Sequence, residues 1–160
     1  MNENNINKDD KQEILQLVSF HIDNEEFGVE ILKVQEIIRM MAVTKVPNAP
    51  CFIEGVINLR GRVIPIIDLR IRLGLERISH NNSTRIIVLE ISNKTIGFIV
   101  DSVNEVLRIP KSIIETPPDI VSGGINSEYI TAVGKLDDRL LILLDLEKIL
   151  SSEETKTLVV

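Results

Sequence analysis

The chain contains two copies of one pattern, and any fold proposed for it must be built from two similar halves. QLVSFHIDNEEFGVEILKVQEIIR, Gln16 to Arg39, lies over RIIVLEISNKTIGFIVDSVNEVLR, Arg85 to Arg108, at an offset of 69. Ile22 meets Ile91, Asn24 meets Asn93, Gly28 meets Gly97, Val34 meets Val103, Glu36 meets Glu105 and Arg39 meets Arg108. The match resumes at an offset of 77, where VINLRGRVIPIIDL (Val56 to Leu69) lies over VGKLDDRLLILLDL (Val133 to Leu146). The difference of eight residues is an extra loop in the second copy.

Each copy reads as short strands punctuated by turn residues. Val18, Phe20 and Ile22 alternate inward, as do Ile87, Leu89 and Ile91, with His21 and Glu90 on the opposite face. Turns follow at Asp23-Asn24 and Ser92-Asn93, and a later hairpin has Arg60-Gly61 or Asp137-Asp138 at its tip. DLRIRLGL and DLEKILSS close the copies, each with an aspartate placed to cap a short helix. About five strands per copy cannot be left as flat sheets with open edges at this size, so closure is expected. The expectation is an all-β fold of two pseudo-symmetric five-stranded β-barrels with short helical segments. The folded domain is expected over residues 14–153, with barrel copies over about 14–75 and 84–150, elements exchangeable between them, and tails at 1–13 and 154–160.

Composition supports a self-sufficient domain. A chain of 160 residues buries roughly 70% of its unfolded surface. With aromatics at 3% and no tryptophan, the core is left to Ile, Leu and Val, which favour strands. One cysteine, Cys51, excludes an intrachain disulfide, and the polar start MNENNINKDDKQE lacks the apolar stretch of a secretory signal, so a reducing cytoplasm is expected. The longest apolar run, Leu140 to Leu144, is far short of the ~20 residues of a membrane-spanning helix. A net charge of −6 and scarce aromatics oppose nucleic-acid binding.

Tests for catalysis fail one by one. His21 reads as solvated and His80 lies in the joining stretch SHNNST; two distant histidines and one cysteine give no zinc spacing. Cys51, in NAPCFIEG, reads as a small packed hydrophobe. No GxSxG, GxxxxGK[ST] or GxGxxG occurs, and Asp137-Asp138 reads as a solvated turn. No catalytic residue, metal or cofactor is expected. What stands out is a carboxylate in an apolar row, since alternation places Val34, Glu36 and Ile38 on one face. A charge there must be paired or covered by a partner, and Arg60 is the candidate. The second copy has Asp137 in place of Arg60, so Glu105 lacks that option. The pair reads equally as a plain surface ion pair worth at most ~1 kcal/mol, and Val34 and Ile38 as barrel core.

FGVEILKVQEI, GVINLRGRVIPIIDLR, GFIVDSVNEVL and DDRLLILLDLEKIL together resemble the CheW family of chemotaxis coupling proteins, from about Ile14 to Leu150. The resemblance implies SH3-like barrels and a non-enzymatic adaptor. Such an adaptor joins the cytoplasmic helical tip of methyl-accepting chemoreceptors to the regulatory domain of the histidine kinase CheA. It also implies pseudo-symmetric contacts with that similar domain, and a cytoplasmic protein recruited to membrane-associated arrays without inserting into the membrane. By position, KVQEI places Val34 and Glu36, and NLRG places Asn58, Arg60 and Gly61, in the receptor-coupling region; Ile38 joins them by alternation. In the extra loop, PKSIIETPPDIVSGG, Glu115, Asp119 and Ile120 are the kinase-contact candidates, stiffened by Pro117-Pro118. Ile120 stands where the family sometimes has an aromatic. Two other readings are a module of another receptor pathway and a small-molecule barrel or cryptic hydrolase, the last requiring a concave polar pocket. No receiver-like segment follows Leu150, which disfavours a CheV-type fusion.

Overall fold

The computed structural model describes residues 13–115 and 129–149. It is all-β, with strands β1 (Ile14–Ile22), β2 (Glu25–Glu30), β3 (Val34–Arg39), β4 (Ile53–Leu59), β5 (Arg62–Asp68), β6 (Arg85–Ile91), β7 (Lys94–Val100), β8 (Ser102–Pro110), β9 (Ile114–Glu115), β10 (Ile130–Lys135) and β11 (Leu140–Leu144). Helical structure includes the single turns α1 (Leu69–Arg72) and α2 (Leu146–Ile149) and the 3₁₀ turns Ile31–Lys33 and Lys111–Ile113. Both α-turns start at the expected aspartates. The Asp68 carboxylate accepts from Arg70 N at 3.0 Å, and Asp145 Oδ1 accepts from Glu147 N at 3.0 Å.

The strands form two sheets, in the orders β8-β1-β2-β11-β10-β9 and β3-β6-β7-β5-β4. Neither sheet is one copy of the repeat. The first takes β1 and β2 from the first copy and the rest from the second; the second sheet reverses this. Besides the antiparallel pairings β1–β8 and β3–β6, the copies are joined by two parallel ones, Gly28 with Leu143 and Ile66 with Gly97. They are the same contact made twice, because Gly28 and Gly97 are 69 apart and Ile66 and Leu143 are 77 apart. Two-residue hairpins turn at Asp23-Asn24 and Ser92-Asn93 as expected, with positive φ at Asp23, Ser92 and Asn93.

Three apolar cores explain the near-continuous aliphatic runs. All five strands of the second sheet contribute to one core, through Ile38, Ile57, Ile64, Ile66, Ile86, Val88 and Ile99, so that sheet wraps its own interior. The first sheet wraps another core around Leu17, Ile109, Leu141 and Leu143. The largest lies between the sheets and holds Phe20, Ile22, Phe27, Ile67, Ile87, Leu89, Phe98, Ile142 and Leu144 among others. In β6, Ile86 and Val88 face the barrel interior while Ile87, Leu89 and Ile91 face the other sheet. The "inward" alternation of Val18, Phe20 and Ile22 therefore points between the sheets and not into a barrel. The strands carry so little polar alternation because both faces are covered.

Cys51 departs from expectation. It is exposed, because Phe52 takes the buried position ahead of β4. His21 is half-buried rather than solvated, with Nδ1 2.7 Å from Asn104 Nδ2.

Candidate docking site

The expected site is built by β3 and the β4–β5 hairpin. Their approach is fixed by the second barrel's core, into which Ile38 on β3 and Leu59 on β4 both pack. Arg60 and Gly61 form the two-residue turn at φ 53° and 85°, and Asn58 Oδ1 accepts from Gly61 N at 2.8 Å. Gly61 is required for its backbone conformation alone, since a Cβ there would meet nothing within 4 Å. Asn58 and Gly61 thus shape the tip, and the tip holds Arg60 over β3, where its guanidinium donates to the Glu36 carboxylate. The pair is solvent-facing, the Arg60 side chain 69% and that of Glu36 32% exposed.

Val34 and Ile38 flank Glu36 on the half-buried side of β3, as alternation requires, but they enter different cores. A bulge between Val34 and Glu36 sends Val34 to the inter-sheet core, whereas Ile38 packs into the barrel interior. Of the six residues, Glu36 and Arg60 present charge, Asn58 and Gly61 set the turn, and Val34 and Ile38 anchor the strand. Glu115 is exposed on β9 and pairs with Lys135 at 3.1 Å. Asp119 and Ile120 lie outside the described residues.

The equivalent place in the other barrel is occupied by a cluster that the sequence did not reveal. Arg139 Nε donates to Glu26 Oε1 at 2.5 Å, the Ser19 hydroxyl donates to the other Glu26 oxygen, and Asn104 Nδ2 donates to Ser19 Oγ at 3.2 Å. The Glu26 side chain is 5% exposed. Burial pushes its carboxyl up, but the hydrogen bonds from Ser19 and Arg139 and the arginine charge outweigh burial and hold it below the usual carboxylate range. Glu105, the counterpart of Glu36, sits 3.7 Å from Arg139. Arg62, the counterpart of Arg139, donates to Thr95 Oγ1 at 2.7 Å, and Thr95 is the counterpart of Glu26. The recurring arginine therefore ties each hairpin to the strand beside it in the sheet, β7 for Arg62 and β2 for Arg139, while Arg60 has no such framework bond among those described. A second missed residue is Gly55, where a Cβ would lie 2.2 Å from the Thr44 carbonyl oxygen; it admits the Thr44–Val56 bridge that covers β4.

Among the described residues no group of His, Cys, Asp and Glu is placed to hold a metal ion. A cavity of about 400 Å³ is lined mainly by aliphatic side chains including Leu15, Leu17, Val29, Ile114 and Leu143, with Lys33 and Lys111 at its polar side.

Both the sequence and the fold have known counterparts. A CheW-like domain model matches residues 16–154. The chain belongs to the CheW family. It is 44% identical to chemotaxis protein CheW of Klebsiella aerogenes over 84% of this chain and 81% of that protein, and 36% identical to that of Helicobacter pylori over 91% and 87%. The crystal structure of the scaffolding protein TtCheW from Thermoanaerobacter tengcongensis superposes with a TM-score of 0.80 at 36% identity, covering 88% of this chain and 94% of that one. This CheW-family chain is accordingly a chemotaxis scaffold. No helix among the described residues is long and apolar enough to cross a membrane.

Proposed function

We propose that this scaffold couples the cytoplasmic helical tip of chemoreceptors to the regulatory domain of the histidine kinase CheA, in the cytoplasm and within receptor arrays, without catalysing a reaction. The observation that carries the reading is the Glu36–Arg60 pair. It is exposed, it is held by a turn that Asn58 and Gly61 shape, and the duplication does not repeat it. A framework arginine recurs in both copies; a residue kept for recognition has no such constraint. The flanking strand offers half-buried Val34 and Ile38 beneath the charge, a surface suited to one face of a helical hairpin. The kinase contact is assigned to the region of Glu115, Asp119 and Ile120, with the pseudo-symmetric kinase domain as the partner.

The test is an amide chemical-shift titration of the chain with a receptor cytoplasmic fragment and, separately, with a CheA regulatory domain. Receptor-induced shifts should centre on residues 34–38 and 58–61, and the kinase should shift a different set. Full receptor binding and kinase activation by Glu36→Ala and Arg60→Ala would sink the site assignment.

A further inference from the structure

The chain passes between the two sheets twice among the described residues, once through the 3₁₀ turn Ile31–Lys33 from β2 to β3 and once through Asp101 from β7 to β8. The duplication makes these the same crossing, since Leu32 and Asp101 are 69 apart. They are held in opposite ways.

At Asp101 the crossing is clasped. Arg70, in the first turn of α1, has a side chain only 7% exposed, and its Nη1 donates to Asp101 Oδ2 at 2.8 Å and to Asp23 Oδ1 at 2.6 Å, while Nε donates to the Glu76 carbonyl at 2.8 Å. Asp101 Oδ2 also accepts from Asp23 N at 2.8 Å, and Asp101 N donates to the His21 carbonyl at 3.1 Å. One buried guanidinium thus ties α1, the β1–β2 turn, the crossing itself and the segment that joins the two copies. Burial disfavours the Arg70 charge, but the two aspartates more than compensate.

At Ile31–Lys33 every counterpart of that clasp is missing. Arg70 corresponds to Glu147, Asp101 to Leu32, Asp23 to Ser92 and Ser102 to Lys33. Ile31 packs partly buried on the inter-sheet core, and the polar ties are Lys33 at 4.0 Å from Glu147 and 3.8 Å from Glu30, all three side chains 41% exposed or more. The turn has no buried residue and no side-chain cap, and Leu32 is 96% exposed. Exposed pairs at such distances hold a backbone weakly.

We propose that the Ile31–Lys33 crossing is the molecule's movable joint and the Asp101 crossing its fixed one, with Arg70 as the residue that makes them differ. The large inter-sheet core keeps the barrels together, so the motion is local opening of the joint and not separation of the halves. The joint leads directly into Val34 and Glu36. Force applied to β3 is then taken up at Ile31–Lys33, while the far crossing stays in place.

Residue-resolved amide hydrogen exchange on the full chain is the experiment. The two diagnostic amides are Val34 N, bonded to the Ile31 carbonyl, and Asp101 N. In the unaltered chain Val34 should exchange at least about tenfold faster than Asp101. Arg70→Gln should accelerate Asp101 by about tenfold and leave Val34 unchanged. Transplanting the clasp by Leu32→Asp, Lys33→Ser, Ser92→Asp and Glu147→Arg should slow Val34 towards the rate of Asp101. Equal protection of the two amides in the unaltered chain overturns the proposal, and that comparison decides even where a variant fails to fold. So does a folded transplant whose Val34 exchanges as before, or an Arg70→Gln chain in which all strand amides accelerate alike, which marks a loss of global stability in place of a local joint.

Discussion

The tip of the β4–β5 hairpin and the tip of the β10–β11 hairpin occupy equivalent places in the two barrels, yet one turns its ionic pair outwards and the other turns it in. At the first, Arg60 reaches across to Glu36 in solvent. At the second, Arg139 reaches a carboxylate, Glu26, that is buried and further bonded to Ser19. The arginine that duplication kept, Arg62 or Arg139, bonds to a framework strand in both barrels. The position it let drift, Arg60 or Asp137, is the tip itself. The repeated arginine is thus tied to a framework strand in both barrels, and the unrepeated one to a solvent-facing carboxylate.

The largest effect separating the two tips should be on stability. Glu26→Gln removes a charged acceptor from a buried set and should cost about 2 kcal/mol in urea unfolding, whereas Glu36→Gln should cost less than about 1 kcal/mol. Similar losses would erase the distinction between a buried framework pair and a solvent-facing one. Acid should act on the same contrast. The folded-state value of Glu26 is depressed, so its stabilising contribution is complete above the ordinary glutamate range and is lost as pH falls through the lower folded value. The stability gap between the parent and Glu26→Gln should therefore be steady near neutrality and close on acidification, as urea midpoints collected down to about pH 3 will show. A gap that widens with acid has the opposite sign and contradicts the assignment.

Next in size is the turn. Gly61→Ala puts a side chain at φ 85° with no steric neighbour and should cost about 1 kcal/mol, read from the same unfolding curves. The smallest effect on stability, and the sharpest on function, comes from exchanging the charges in Glu36→Arg with Arg60→Glu. The folded state should change by less than about 0.5 kcal/mol. Receptor binding by calorimetry should remain impaired if the partner reads Arg60 itself; recovery to the parental affinity would show that only the ion pair matters.

Much of this was legible in the residues. The duplication, the hairpin turns, the capping aspartates and the all-β class follow from local patterns that need only neighbours within a few positions, and Glu36 with Arg60 followed from one carboxylate in an apolar row. The three-core arrangement was not legible, because an aliphatic strand covered on both faces looks the same whichever sheet covers it. Nor was the Glu26 cluster: Ser19, Glu26, Asn104 and Arg139 are ordinary polar residues until β1, β2, β8 and the second hairpin converge. Cys51 was misjudged since a small thiol beside Phe52 fits inside or outside equally well, and backbone direction at the start of β4 decides.

By itself the sequence determined that two like halves exist, where each turns, and which charged residue one half has and the other lacks. Tertiary structure alone decided that each barrel borrows strands from both halves, because strand partners are chosen by burial of both faces between segments far apart in the chain, as far as Gly28 from Leu143. It also decided that one of two equivalent crossings is clasped by Arg70 and the other left to exposed charges. Pairing at that distance depends on where backbones meet, which no local pattern records.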